Sequence, residues 1–212
     1  MSCNRLKIQE NVGFVSGNQL NGILTARQLP EEVSVLVISI SEEMAKLLDV
    51  KEAEEILSEL PVITVGVLTG TVGKNALLLA SVMHLRIALA DANYKEEQED
   101  CLKDIRNLSL LGSSAKKRVL EGCAKKIDIE ALLKLGYVSE TYESMECEAF
   151  EKWLKTLFYK KDKKQLMAIK RCYDKYRYVL PKTTNRGTVS MEESRLFCLL
   201  ADYAAKKSRE EA

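Results

Sequence analysis

The chain has 212 residues, 46% hydrophobic and 30% charged, with 32 Lys and Arg against 31 Asp and Glu for a formal net charge of +1. That is enough for one domain with a sizeable core and short for two, and the near-neutral balance excludes a global electrostatic pull toward nucleic acid or a membrane. No run approaches the ~18 apolar residues of a membrane span and MSCNRLKIQE lacks a signal-peptide core, so a cytoplasmic protein is expected.

Leu6 to Val15 reads as two short strands turned at Glu10-Asn11, with Ser16-Gly17-Asn18 as the turn that follows and a helix over Leu20 to Leu29. Val33 to Ile40, VSVLVISI, is a strand by its β-branched content. Ser41 caps directly into a helical pattern that runs to Leu48, and Lys51 to Leu60 is an amphipathic helix.

Leu60 to Tyr94 is the segment around which the rest is arranged. Val62 to Leu68 carries no charge and suits a strand covered on both faces. Gly70 and Gly73 bracket a tight turn, and Lys74 opens a helix that is apolar nearly all round and ends near His84. Leu85 to Ala88 is the next strand. A strand feeding through a glycine turn into a buried helix aims the free N–H groups of that helix at the turn, which is a way to bind an oxyanion without a charged side chain.

Beyond Tyr94 the stretch KEEQEDCLKDIRN is a charged helix or loop. Asp128 and Gly136 fit an N-cap and a C′ residue around a helix, further helices are expected near Glu146 to Phe158 and Lys163 to Tyr178, and Ser190 to Glu193 is a capping box opening a last helix to about Lys207. Between Lys155 and Arg186, 11 Lys and Arg face only Asp162 and Asp174, a net of +9 that leaves −8 for the remainder. Four tyrosines interleave these charges. Such a patch docks phosphates, an acidic carrier or nucleic acid, or is a solvated face that complements an acidic neighbour.

The six cysteines include no C-x-x-C pair and are expected to be reduced, and the single histidine argues against a zinc site, so no metal is expected. His84, at a helix C-terminus, reads as a capping or core-edge residue. Cys101 and Cys123 have no histidine nearby in sequence to activate them.

The segment from Pro61 to Tyr94 resembles the signature region of the crotonase (enoyl-CoA hydratase/isomerase) superfamily, which runs roughly PVIAAVxGxAxGGGxELAxAxDxRIAxxxAxF. From Gly70 onward the helix over Ala76 to Met83, Arg86-Ile87-Ala88, Ala92 and Tyr94 fall in register, and Pro61-Val62-Ile63 lies two residues early. Gly112 to Gly122 resembles GxxxAxELLLTG, and Ile127 to Val138 resembles IDAxEALxLGLV. The departures are specific. Lys74, Asn75 and Ala76 stand at the glycine triplet, Leu78 at a catalytic glutamate position and His84 at the helix-ending aspartate, while the FSAGAD-type loop and the PGxGGT stretch have no counterpart.

This resemblance implies an α/β fold of crotonase type, a spiral of strand-strand-helix (ββα) units followed by C-terminal helices, with a single domain over 1–212, a core to about 140 and a helical region beyond. It implies an acyl thioester ligand, on coenzyme A or the pantetheine of an acyl carrier protein, and no separate cofactor. The backbone amide of Asn75 would be an oxyanion donor, with Gly70, Gly73 and Lys74 lining the turn. Glu97 or Glu99 would be the acid/base if the register slips by one residue from Gln98, and a solvated charge cluster otherwise. Lys160, Lys161, Lys163, Lys164, Lys170 and Arg171 would dock a carrier or its phosphates.

The family's assemblies imply a homotrimer or hexamer, or a hetero-oligomer with a related subunit. Three readings follow: an enolate-type isomerase, dehydratase or decarboxylase in a biosynthetic setting, a non-catalytic crotonase-like subunit that supports a partner, and, less favoured, nucleic-acid binding through residues 155–186.

Overall fold

The computed structural model describes residues 6–94, 129–134 and 137–179. Glu97, Glu99, the Gly112 to Gly122 block, Asp128, Gly136 and the helix expected after Ser190 lie outside the described residues.

The chain opens with an antiparallel pair, β1 (Lys7–Gln9) and β2 (Val12–Val15), joined through Glu10 in the left-handed conformation. Ser16 does not begin a turn. It caps α1 (Gly17–Ala26), whose third residue, Gln19, bonds back to the Ser16 backbone, and this box pulls Gly17 and Asn18 into the helix. The predicted helix therefore starts three residues early and ends at Arg27, which is left-handed.

The remaining elements follow the hydrophobic pattern: β3 (Val35–Ile40), α2 (Glu42–Lys46), α3 (Val50–Glu59), β4 (Ile63–Leu68), α4 (Lys74–Ser81) and β6 (Leu85–Leu89). Asp49 caps α3 by accepting from the amides of Lys51 and Glu52. Three strands are too short for a periodic signal: β5 (Thr71–Val72), β7 (Asn93–Tyr94) and β8 (Glu140–Tyr142). The C-terminal part adds α5 (Ile129–Lys134), α6 (Glu148–Leu157) and α7 (Lys163–Val179).

Six strands form one sheet in the order β1-β2-β3-β4-β6-β8, parallel except at β1, and β5 pairs with β7 in a small second sheet. The succession β4, β5, α4 is the expected strand-strand-helix unit. Parallel pairing needs crossovers, and α1, α2 with α3, and α4 supply them.

Because side chains alternate along a strand, the sheet separates two cores. Leu36, Ile38 and Ile40 of β3 and Leu68 of β4 face α1 to α4, whereas Val35, Val37, Ile63, Val65 and Val67 meet Phe150, Leu154, Phe158 and Leu166 from α6 and α7. This double coverage explains why β3 and β4 read as continuous apolar runs.

The segments flanking α6 and α7 are tied to the end of the sheet where the parallel strands begin. Asn11, just before β2, donates to the Phe158 carbonyl at 3.0 Å, and Lys163 Nζ donates to the Glu31 carbonyl at 2.6 Å. Farther along α7, Lys170 Nζ donates to the Ser58 carbonyl at 2.8 Å and to Asp174 Oδ2 at 2.6 Å.

Asp174 Oδ1 lies 3.2 Å from His84 Nε2, and the other ring nitrogen, Nδ1, accepts from the Thr64 amide at 3.0 Å. Since an amide can only donate, Nδ1 carries the lone pair and Nε2 the proton that points at Asp174. His84 and Lys170 are each 6% exposed. Burial works to raise the Asp174 pKa, but the hydrogen bonds from His84 and Lys170 outweigh it and hold the carboxyl below its ordinary value.

A depressed folded-state pKa makes Asp174 a stabilising group above the ordinary carboxylate range, an advantage lost as pH falls through the folded value. Asp174→Asn is therefore expected to lower stability by about 2 kcal/mol near pH 7. Urea unfolding at pH 7 and below about pH 4 should show that difference shrinking on acidification; a gap that stays constant with pH would contradict the assignment.

Candidate functional site

Ligand sites of open parallel sheets lie at the strand ends from which the chain leaves toward its helices. Here β3 delivers Ser41-Glu42 and β4 delivers Thr69 to Asn75 at neighbouring positions of that edge. The second segment is fixed by Asp91, whose carboxylate accepts from Thr69 Oγ1 at 3.0 Å and from the Gly70 amide at 3.3 Å. Gly70 has φ of +57°, a conformation in which glycine is favoured, and its carbonyl accepts from the Asn93 amide at 2.7 Å.

Ser41 caps α2 by accepting from the Met44 amide at 3.4 Å, which leaves Glu42 as the first helical residue. Its side chain is not in solvent. Glu42 is 6% exposed, and its carboxylate reaches across to the start of α4. Oε2 accepts from the Ala76 amide at 2.9 Å and Oε1 accepts from the Asn75 side-chain amide at 2.7 Å, while Lys46 Nζ lies 3.8 Å from Oε1.

Gly73 is the N-cap of α4 and has no side chain with which to cap it, so Glu42, 31 residues earlier in sequence, performs that role. A Cβ on Gly73 would sit 2.7 Å from both Cδ and Oε2 of Glu42. The carboxylate lies against the glycine Cα, and the absence of a side chain there is what admits it.

The far side of α4 is braced by Tyr137, whose hydroxyl donates to the Leu77 carbonyl at 2.5 Å. Burial pushes its phenol pKa well above the ordinary value, which keeps it a donor. Arg86 lies 5.0 Å above the Tyr137 ring and donates to the Tyr137 carbonyl at 2.7 Å. The first turn of α4 thus has polar anchors at Ala76 and Leu77.

Gly70, Gly73, Lys74 and Asn75 are gathered at this edge, together with Glu42, which the sequence reading assigned only to a helix start. Nothing local could have singled it out, because its partners are 33 and 34 residues away. The basic residues are not gathered there. Lys160, Lys161, Lys163 and Lys164 belong to the α6–α7 connection and the first turn of α7, at the opposite edge, a strand length or roughly 17 Å away. Lys170 is turned inward to Asp174 and Ser58, so it presents no ammonium for docking, whereas Arg171 is exposed.

Thr64 Oγ1, His84 and Asp174 form a hydroxyl, imidazole and carboxylate series, with Oγ1 2.7 Å from Nδ1. Thr64 is fully buried in the middle of the sheet, so no substrate carbonyl can approach it and the series is structural. Among the described residues no group of His, Cys, Asp and Glu could hold a metal, and no helix is long and apolar enough to cross a membrane.

Three solved structures illustrate what the chain is similar to. A putative enoyl-CoA hydratase from Thermobifida fusca, in complex with acetoacetyl-CoA, aligns over 98% of this chain and 94% of its own with a TM-score of 0.59 and 16% identity. A probable enoyl-CoA hydratase from Mycobacterium smegmatis aligns over 93% of each chain with a TM-score of 0.61 and 14% identity. Pseudomonas aeruginosa DspI covers 92% of this chain and 94% of its own at a TM-score of 0.61 and 16% identity. The chain has the crotonase fold. By sequence it matches no protein-family model and no curated protein.

In place of the FSAGAD-type loop that the sequence lacks, β3 leads directly into α2. Leu78, at the glutamate position, is half-buried on α4 and offers no proton carrier.

The contact between Gly73 and Glu42 is testable as a pair. Gly73→Ala should destabilise the protein by about 1–3 kcal/mol, because the added methyl must push the Glu42 carboxyl from its seat and forfeit its bonds to α4. In a Glu42→Ala background the same change should cost less by at least ~1 kcal/mol. Denaturant unfolding of the four proteins measures the coupling, and additive effects would show that the two positions do not meet.

Proposed function

We propose that this protein binds an acyl thioester, carried by coenzyme A or by the pantetheine of a carrier protein, with the acyl oxygen at the N-terminus of α4. One observation carries the reading: the Ala76 amide and the Asn75 side chain already converge on an anionic group, the Glu42 carboxylate, one on each of its oxygens at 2.9 and 2.7 Å. Donors placed at that range stabilise an oxyanion as charge develops on it. The Thermobifida fusca protein in complex with acetoacetyl-CoA, and the same protein in complex with CoA, supply the ligand class by analogy of fold.

The chemistry suited to such a site is an enolate-type step, whether isomerisation, dehydration or decarboxylation. Decarboxylation fits Leu78 best. The C–C bond breaks, carbon dioxide leaves and the electron pair moves onto the thioester oxygen, so no side chain has to remove a proton.

The same carboxylate favours a second reading, a non-catalytic subunit that supports a partner. A negative charge ~4 Å from a developing enolate oxygen costs about 4 kcal/mol at an effective dielectric of about 20. One oxyanion donor supplies about 3–4 kcal/mol. With Glu42 seated, repulsion cancels the benefit, and enolate chemistry is quenched. In this reading the exposed Lys160, Lys164 and Arg171 would meet an acidic face of the partner.

Calorimetric titration with acetoacetyl-CoA and with coenzyme A separates the two. The thioester reading expects saturable binding at or below millimolar ligand, weakened by Asn75→Pro with the circular dichroism spectrum unchanged, since proline at this first-turn position removes the side-chain donor and leaves the Ala76 amide in place. A folded protein that binds neither ligand, as wild type and as Glu42→Ala alike, would leave the subunit reading in possession.

A further inference from the structure

We infer that Glu42 is a self-inhibitory latch on the acyl-oxygen site: the chain's own carboxylate holds the place of the ligand oxygen, and a ligand enters only by expelling it. This inference rests on the thioester reading and specifies how that site is regulated.

Three observations beyond the helix end itself support it. The Glu42 side chain is only 8% exposed although it begins a short surface helix, so its seat is specific rather than incidental. Gly73 supplies the space, since any Cβ there would strike the carboxyl group. The arrangement also has a second resting place. Lys46 lies one turn along α2, half-exposed, with Nζ 3.8 Å from Oε1, and it can keep the carboxylate paired when the side chain rotates outward.

The helix bearing the latch is only five residues long, and it is held by Met44 and Ala45 in the core and by the two bonds that Glu42 makes to α4. An isolated helix of that length has little stability of its own, so α2 can shift at modest cost. Two charge-assisted hydrogen bonds must be surrendered for entry, and the incoming acyl oxygen, uncharged until an enolate forms, takes up the freed donors. The latch lowers apparent affinity by the fraction of molecules in which it is open, while the intrinsic affinity of the site is unchanged.

The test is titration of wild type, Glu42→Ala and Glu42→Gln with acetoacetyl-CoA, each variant checked by circular dichroism and thermal unfolding. Glu42→Ala should bind at least ~10-fold more tightly than wild type, although it is thermally less stable, and Glu42→Gln should fall between them because it keeps the volume without the charge. Free acetate at about 0.1 M should weaken binding to Glu42→Ala by filling the vacated seat and leave wild type unaffected. Should Glu42→Ala fail to fold, Glu42→Gln against wild type carries the comparison.

Equal affinity in wild type and the variants would overturn the latch and leave the thioester reading standing. Absence of binding in all three folded proteins would remove the thioester reading, and the latch with it.

Discussion

The contact between the Glu42 carboxylate and the first turn of α4 joins the ends of two adjacent parallel strands, and the organisation of that edge of the sheet depends on it. It caps a helix that has glycine at its N-cap, it buries a charge that would otherwise be costly, and it fixes α2 beside the turn. Each of these needs the others. An unpaired buried carboxylate would be expensive, and an uncapped buried helix end would leave its amides without acceptors. The electrostatic complementarity between an acidic side chain and a helix N-terminus satisfies both at once.

The other edge is built on a different polar group. There the chain from Thr64 through His84 and Asp174 to Lys170 fastens α7 across the origins of β4 and β6, with the imidazole neutral and its proton directed at the carboxylate. The two networks differ in consequence. At the α4 edge the donors face the two oxygens of a side-chain carboxylate. In the His84 network every polar atom named is turned onto another part of the chain, and the threonine hydroxyl is sealed in the sheet.

The crotonase fold was legible in the sequence through a contiguous segment, because β4, the turn and α4 are local structures whose apolar pattern and glycines are dictated residue by residue. The elements that escaped it are those with too little chain to carry a period: β5, β7 and β8 have two or three residues each. The start of α1 was displaced because the capping box of Ser16 and Gln19 overrode the turn preference of Gly17 and Asn18. The basic run from Lys155 to Arg186 read as one patch because sequence counts charges without directions, whereas α7 points Lys164 outward and Lys170 inward.

What the sequence by itself determined was the alternation of strands and helices, the double-sided burial of β4, and the position of a glycine turn leading into a buried helix. Hydrophobic periodicity, caps and turn residues are short-range properties, and they act within one or two turns of chain. What only the tertiary structure decided was which distant group meets that helix. Glu42 and Ala76 are 34 residues apart, and His84 and Asp174 are 90 apart. Their encounters follow from strand order and register, which place the end of β3 beside the end of β4 and lay α7 across the beginnings of the strands. A glutamate at a helix start is an ordinary surface residue until the neighbouring strand brings an N-terminus and a bare glycine Cα to meet it.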